Sequence, residues 1–164
     1  MTDTETVKQK FEYILKKYAD NMYRIAVAQT GNKSDAEDIV QEVFLKYASS
    51  APVFESDEHE KAWLIRVTIN KCKDLLKSAW VSKTETLSDD IAVDFIDAKN
   101  DVLETVLSLP IKYRTVIHLF YYEGYSVKKI SSILEQNENS TKTQLSRARE
   151  MLKKTLNRGD EYAF

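Results

Sequence analysis

The chain is 164 residues long, 43% hydrophobic, 30% charged and 10% aromatic, with a formal net charge of −2, a size that fits one domain or two small ones. Three glycines and two prolines are too few breakers for a β-sandwich, a glycine-rich phosphate loop or a collagen-like repeat, so a mostly helical protein is expected. One cysteine, Cys72, and two histidines, His59 and His118, lack the number and spacing for a zinc site or a disulfide framework, and they fit a reducing compartment. No apolar run approaches the ~18–20 residues that span a bilayer, and Met1 to Lys10 is polar. A soluble, cytoplasmic protein without stable membrane insertion is expected. No nucleophile–base pair stands out, so neither an enzyme nor a cofactor site is expected.

Charge is uneven along the chain. Residues 1–80 hold 12 basic and 13 acidic side chains, residues 81–106 hold 2 and 7, and residues 107–164 hold 10 and 6. The carboxyl-terminal third is therefore locally basic, and phosphate binding follows the local patch rather than the overall balance.

From Thr6 to about Gln29, Phe11, Ile14, Leu15, Tyr18, Met22, Ile25 and Ala26 recur at three- and four-residue steps, one apolar helix face. Gly31 and Asn32 end it. Ser34-Asp35-Ala36-Glu37 has the spacing of a capping box for a second helix reaching about Ala48, with Ile39, Val40, Val43, Phe44 and Tyr47 inward. Ser49 to Ser56, with Pro52, reads as a loop, and Ser56 or Asp57 is placed to cap a long helix from about Glu58 to Trp80. Trp63, Leu64, Val67, Leu75 and Leu76 serve its core, and Arg66, Asn70, Lys73 and Lys77 share a polar face.

Val81 to about Lys99 is acidic and weakly periodic, and reads as a linker whose isolated Leu87, Ile91, Val93, Phe95 and Ile96 are free to dock. Val102, Leu103, Val106 and Leu107 form a short helix ending near Leu109. Pro110, as first helical residue, opens another that carries Tyr113, Val116, Ile117 and Phe120 inward and stops at Gly124. Ser126 caps a helix with Val127, Ile130, Ile133 and Leu134 apolar. A polar stretch, Glu135 to Asn139, precedes the last helix, Ser140 to about Leu156, with Leu145, Ala148, Leu152 and Leu156 inward. These last two helices have the layout of a helix-turn-helix, in which the second helix enters the major groove. A plain helical hairpin has the same layout.

Particular residues carry a family resemblance. Leu109-Pro110 with Tyr113-Arg114, Leu119 to Gly124, Ile130 to Leu134 and Lys142-Thr143-Gln144-Leu145-Ser146-Arg147-Ala148-Arg149 resemble region 4 of bacterial sigma factors. Tyr23-Arg24-Ile25-Ala26, Gly31-Asn32, Asp35-Ala36-Glu37-Asp38-Ile39-Val40-Gln41-Glu42-Val43-Phe44 and Ala62-Trp63-Leu64-Ile65-Arg66-Val67 with Asn70 and Asp74 resemble region 2. With only these two regions present, in the family's order, the chain resembles the extracytoplasmic-function group. The resemblance implies an all-α protein of two small domains, region 2-like over 1–80 and region 4-like over 101–164, joined by an acidic linker over 81–100.

The resemblance also implies partners and site residues. Asp35, Glu37, Asp38, Gln41 and Glu42 would dock on the β′ clamp helices of core RNA polymerase, whose β flap is a further expected contact. Lys61, Arg66, Asn70, Lys73 and Lys77 would track the non-template strand of the minus-ten element, and the loop Ser49–Ser56 would hold a flipped base. Trp63 has two readings, core packing, which is favoured, and stacking on DNA. Lys142, Thr143, Ser146 and Arg147 would meet the minus-thirty-five element, with Arg149 and Lys153 nearer phosphate. An anti-sigma factor is the regulator such proteins have. Glu135, Gln136 and Thr141 depart from the glycine and aliphatic residues usual in and after the turn, so either the turn is loosened or Asn137 supplies the tight conformation and the helix cap. The alternatives are a helix-turn-helix regulator that does not engage polymerase, and a polymerase-binding mimic that has lost DNA reading.

Overall fold

The computed structural model describes residues 3–50, 52–82 and 101–159. All regular elements among them are helical: α1 (Asp3–Thr30), α2 (Lys33–Ser50), α3 (Asp57–Ser82), α4 (Asp101–Ser108), α5 (Ile111–Ile117), α6 (Val127–Leu134) and α7 (Glu138–Gly159), with a π-helical turn over His118–Tyr122. Helices α1, α2 and α3 pack on one another, and α4, α5 and α6 gather around α7. The acidic segment 83–100, with the apolar residues read there as free to dock, lies outside the described residues.

The first unit follows its apolar periodicity. Ile14, Tyr18, Met22 and Ile25 of α1 bury with Ile39, Val43, Phe44 and Tyr47 of α2 and with Leu64, Ile65 and Ile69 of α3. A buried Leu or Ile side chain is worth ~1.5–3 kcal/mol relative to its exposed state. Tyr47 donates to the buried Glu60 carboxylate at 2.8 Å, which with burial raises the Tyr47 pKa. Its ring meets Phe54 and Trp63, so Trp63 packs against the core as expected. Gly31 is left-handed at φ 68° and closes α1.

The start of α2 differs from the capping-box expectation. Asn32, not Ser34, caps the helix, its Oδ1 accepting from the Asp35 backbone N–H at 2.9 Å, and the helix begins at Lys33. With Gly31 turning the chain, the residue immediately after it is the one placed over the free N–H groups. Ser56 caps α3 as expected, accepting from the His59 N–H at 3.1 Å. Ser49 and Ser50, read as loop, complete α2.

In the second unit Pro110 is the N-cap of α5, one position before its expected place. Ser126 caps α6, accepting from the Lys129 N–H at 3.1 Å. The turn into α7 is built otherwise than expected. Glu135, with φ 55° and ψ 48°, takes the left-handed position, and Asn137 only caps, accepting from the Ser140 N–H at 2.7 Å. α7 consequently starts at Glu138, two residues early.

A polar knot replaces aliphatic packing behind this turn. Thr141 is fully buried and shares a 2.7 Å hydrogen bond with the Ser131 hydroxyl, while Gln136 Nε2 donates to Thr141 Oγ1 and to Gln144 Oε1, both at 2.8 Å. Buried polar groups are tolerated when they satisfy one another, and costly once a partner is removed. Thr141→Val should therefore lower stability by about 1–3 kcal/mol in urea unfolding, and adding Ser131→Ala should recover part of the loss. An unchanged midpoint in the single variant would show that the knot contributes nothing to the turn.

Candidate nucleic-acid and polymerase interfaces

Helix α7 presents all six expected promoter residues. Lys142, Thr143, Ser146, Arg147, Arg149 and Lys153 are exposed, while Thr141, Leu145 and Ala148 seat the opposite face in the core. Asn137 caps the first turn, whose Lys142 and Thr143 are open to solvent. A cleft of about 360 Å³ flanks it, lined by Thr143, Gln144 and Arg147 together with Lys112 and Tyr113 of α5, Asn137, Asn139 and Ser140. Lys112 and Asn139 are functional candidates that sequence reasoning missed, because α5 was read only for its apolar side and Asn139 only as part of the turn.

Arg149 is held in a specific pose. Its Nε donates to the Tyr121 hydroxyl at 2.7 Å, and its guanidinium lies 5.4 Å from the Phe120 ring centroid and 5.6 Å from that of Tyr121. Such stacking favours arginine over lysine. Tyr121 is itself exposed, as is Tyr122.

The acidic residues of α2 divide between two sides. Asp35, Asp38 and Glu42 line a cleft of about 350 Å³ with Lys71, Asp74 and Leu75 of α3, and Lys71 Nζ is 3.9 Å from Glu42 Oε2. Glu37 and Gln41 do not line it; Glu37 lies close enough to Tyr23 of α1 to add to the burial that raises that phenol's pKa. The five are brought onto one helix, not onto one patch.

The stripe expected along α3 is likewise split. Asn70, Lys73 and Lys77 are exposed, whereas Arg66 and Lys61 are part-buried. At ~100° per residue Lys61 stands roughly 140° around the helix from Arg66. It lies over the Tyr125 ring at 5.7 Å and lines a cavity of about 790 Å³ with Lys17, Asn21, Arg24, His118 and Glu123.

That cavity marks where the two units meet, α1 and α3 contacting α4, α5 and α6. Asn21 donates to both Glu123 oxygens, at 2.9 and 3.1 Å, and His118 Nε2 is 3.3 Å from Glu123 Oε2. Burial alone would raise the Glu123 pKa, but these bonds outweigh it and hold the carboxyl below its usual range. Arg114 donates to the Gln29 carbonyl in the last turn of α1, and Thr115 donates to Gln29 Oε1 at 2.7 Å. Cys72 is fully buried nearby, and burial pushes its thiol up to about 12, which disfavours the reactive thiolate. Among the described residues no group of His, Cys, Asp and Glu is arranged to hold a metal ion, and no helix is long and apolar enough to cross a membrane.

A helical first unit followed by a helix-turn-helix with a basic outward stripe defines a DNA-binding transcription protein. Residues 14–81 match the model of Sigma-70 region 2, and residues 99–152 match that of Sigma-70, region 4. The RNA polymerase sigma factor SigV of Bacillus subtilis is 28% identical, over 98% of this chain and 99% of that protein. The ECF RNA polymerase sigma factor SigW of the same organism is 32% identical, over 89% of this chain and 88% of that protein. Two solved structures share the fold: the sigma factor RpoE bound to the anti-sigma factor NepR from Bartonella quintana (TM-score 0.71, 19% identity, 91% of this chain and 98% of that one) and CnrH bound to the cytosolic domain of CnrY (0.72, 22%, 93% and 91%). The chain belongs to the sigma-70 family, in its extracytoplasmic-function (ECF) group. It is a sigma factor, a transcription initiation factor that binds core RNA polymerase and directs it to promoters.

Two outcomes follow from this geometry. Arg147→Ala should weaken binding of a cognate minus-thirty-five duplex by about 1–3 kcal/mol and relax preference at one base position, as measured by fluorescence anisotropy. Because the folded Glu123 carboxyl titrates below its unfolded value, it stabilises the protein above an ordinary carboxylate pKa of about 4.3, and that contribution fades as pH falls toward the folded value. Urea midpoints should thus decline on acidification through this range, and Glu123→Gln should flatten the decline.

Proposed function

We propose that the two units divide promoter recognition, the first reading a melted minus-ten element and the second a duplex minus-thirty-five element. The observation that carries this reading is the exposure of all six α7 residues on one capped helix, above a turn that the Ser131–Thr141–Gln136 knot holds shut. Glu135, Gln136 and Thr141 depart from the family's usual residues without loosening the turn, which speaks against a mimic that has lost DNA reading. Lys142, Thr143, Ser146 and Arg147 face base edges in this reading, and Arg149 and Lys153 face phosphate.

Asp35, Asp38 and Glu42 form the docking face for the β′ clamp helices, with Glu37 and Gln41 contacting from its other side. Charged faces of this kind set orientation and on-rate more than affinity. Arg66, Asn70, Lys73 and Lys77 follow the non-template strand. The loop after α2 holds the flipped base, with Val53 outward and Phe54 anchored on Tyr47 and Trp63. The β flap and an anti-sigma factor are the further partners this reading implies. An independent helix-turn-helix regulator is disfavoured by the region 2 match over residues 14–81.

Run-off transcription on a promoter library, with bacterial core polymerase alone and with this protein, tests the reading. Initiation is expected only with the protein, from templates sharing two spaced motifs. Core binding without initiation would overturn the division of promoter reading, and absence of core binding would overturn the docking face.

A further inference from the structure

Arg66 already has an anionic partner from the second unit. Its Nη1 lies 3.3 Å from Glu135 Oε1, between residues far apart in sequence, and the neighbouring contacts follow the same seam: Lys129 Nζ is 3.5 Å from Glu58 Oε1, and Lys61 sits over Tyr125. Glu135 is also the non-glycine residue with positive φ among the described residues. A side chain with a Cβ in that conformation is disfavoured, and such strain persists where something else holds it. Turn formation itself does not require a carboxylate there, since glycine adopts the same angles freely. What the carboxylate adds is its contact with Arg66, and a guanidinium binds carboxylate and phosphate through the same donor geometry.

We propose that Glu135 occupies the Arg66 position of the strand-tracking stripe as a stand-in for backbone phosphate, so that in the free protein the second unit competes with single-stranded DNA for α3. The proposal rests on the minus-ten role given above to the α3 stripe. Asn70, Lys73 and Lys77 remain exposed further along the helix, so a strand laid on them meets the Glu135 carboxylate where it would reach Arg66. Exposed as this ion pair is, with side-chain exposures of 33% and 68%, it biases the competition modestly rather than locking it. Seating the protein on polymerase and DNA would draw the units apart and exchange the carboxylate for phosphate.

The test uses the full chain and a fluorescein-labelled single-stranded 12-mer pool of mixed sequence at low salt, read by anisotropy, with circular dichroism confirming that each variant is folded. Glu135→Gly and Glu135→Gln should both tighten binding by about twofold to fivefold, the range of one exposed ion pair. Arg66→Ala should weaken binding, and Glu135→Gly should give no gain in that background. Tightening by glycine alone would assign the effect to backbone strain and overturn the phosphate stand-in. No tightening by either Glu135 variant, with Arg66→Ala still weakening, would overturn the competition while leaving the minus-ten reading intact. Binding indifferent to Arg66 in both backgrounds would overturn that reading itself, and the proposal with it.

Discussion

The guanidinium of Arg114 donating into the last turn of α1, at the Gln29 carbonyl, is the contact on which the relation between the two units depends. Carbonyls at a helix carboxyl end carry partial negative charge and lack intrahelical donors, so a cation there is favourably placed. Burial lowers the Arg114 pKa, yet a guanidinium keeps its charge where an ammonium would more readily lose it. Thr115 on the next position ties the Gln29 side chain, so backbone and side chain of one α1 residue are both held from α5. The same seam holds Glu123 against Asn21, Tyr125 against Lys61, and the turn after α6 beside Arg66.

The seam therefore carries a polar set, Arg114 and Thr115 on Gln29 and Asn21 on Glu123, beside an apolar core that runs through both units. An apolar junction of this extent would resist opening, because each buried side chain would have to be hydrated without compensation. The donors and acceptors of the polar set can exchange partners with water or with a ligand if they separate, which the apolar part cannot.

Much of this was legible from residue spacing alone. Apolar repeats located every helix, Ser56 and Ser126 were identified as caps, and Gly31 and Gly124 as the stops, because these signals act within a few residues of themselves. Errors arose where two local signals competed. Ser34 with Glu37 matched a capping box, but Asn32 sat closer to the glycine turn; Asn137 was the better left-handed former by propensity, yet Glu135 took that role because tertiary contacts outweigh propensity at a single position. The exposure of the six α7 candidates was legible because they fall on the polar side of a helix whose apolar side is plain in the spacing. Lys61, Arg66 and Glu37 were not separable from their neighbours, because their surroundings are made by residues distant in sequence. No periodicity encodes that.

The π-helical turn over His118–Tyr122 carries a consequence of its own. By widening one turn it adds a residue to the count without lengthening the path, so the chain leaving α5 is out of phase with the chain that entered it. His118 faces inward while Tyr121, three residues on, faces α7 and receives Arg149. Helical phase, rather than the identity of either residue, thus decides whether the reading helix has an aromatic brace, and the loss of one residue from this stretch would remove that brace while leaving every side chain of the pair in the sequence.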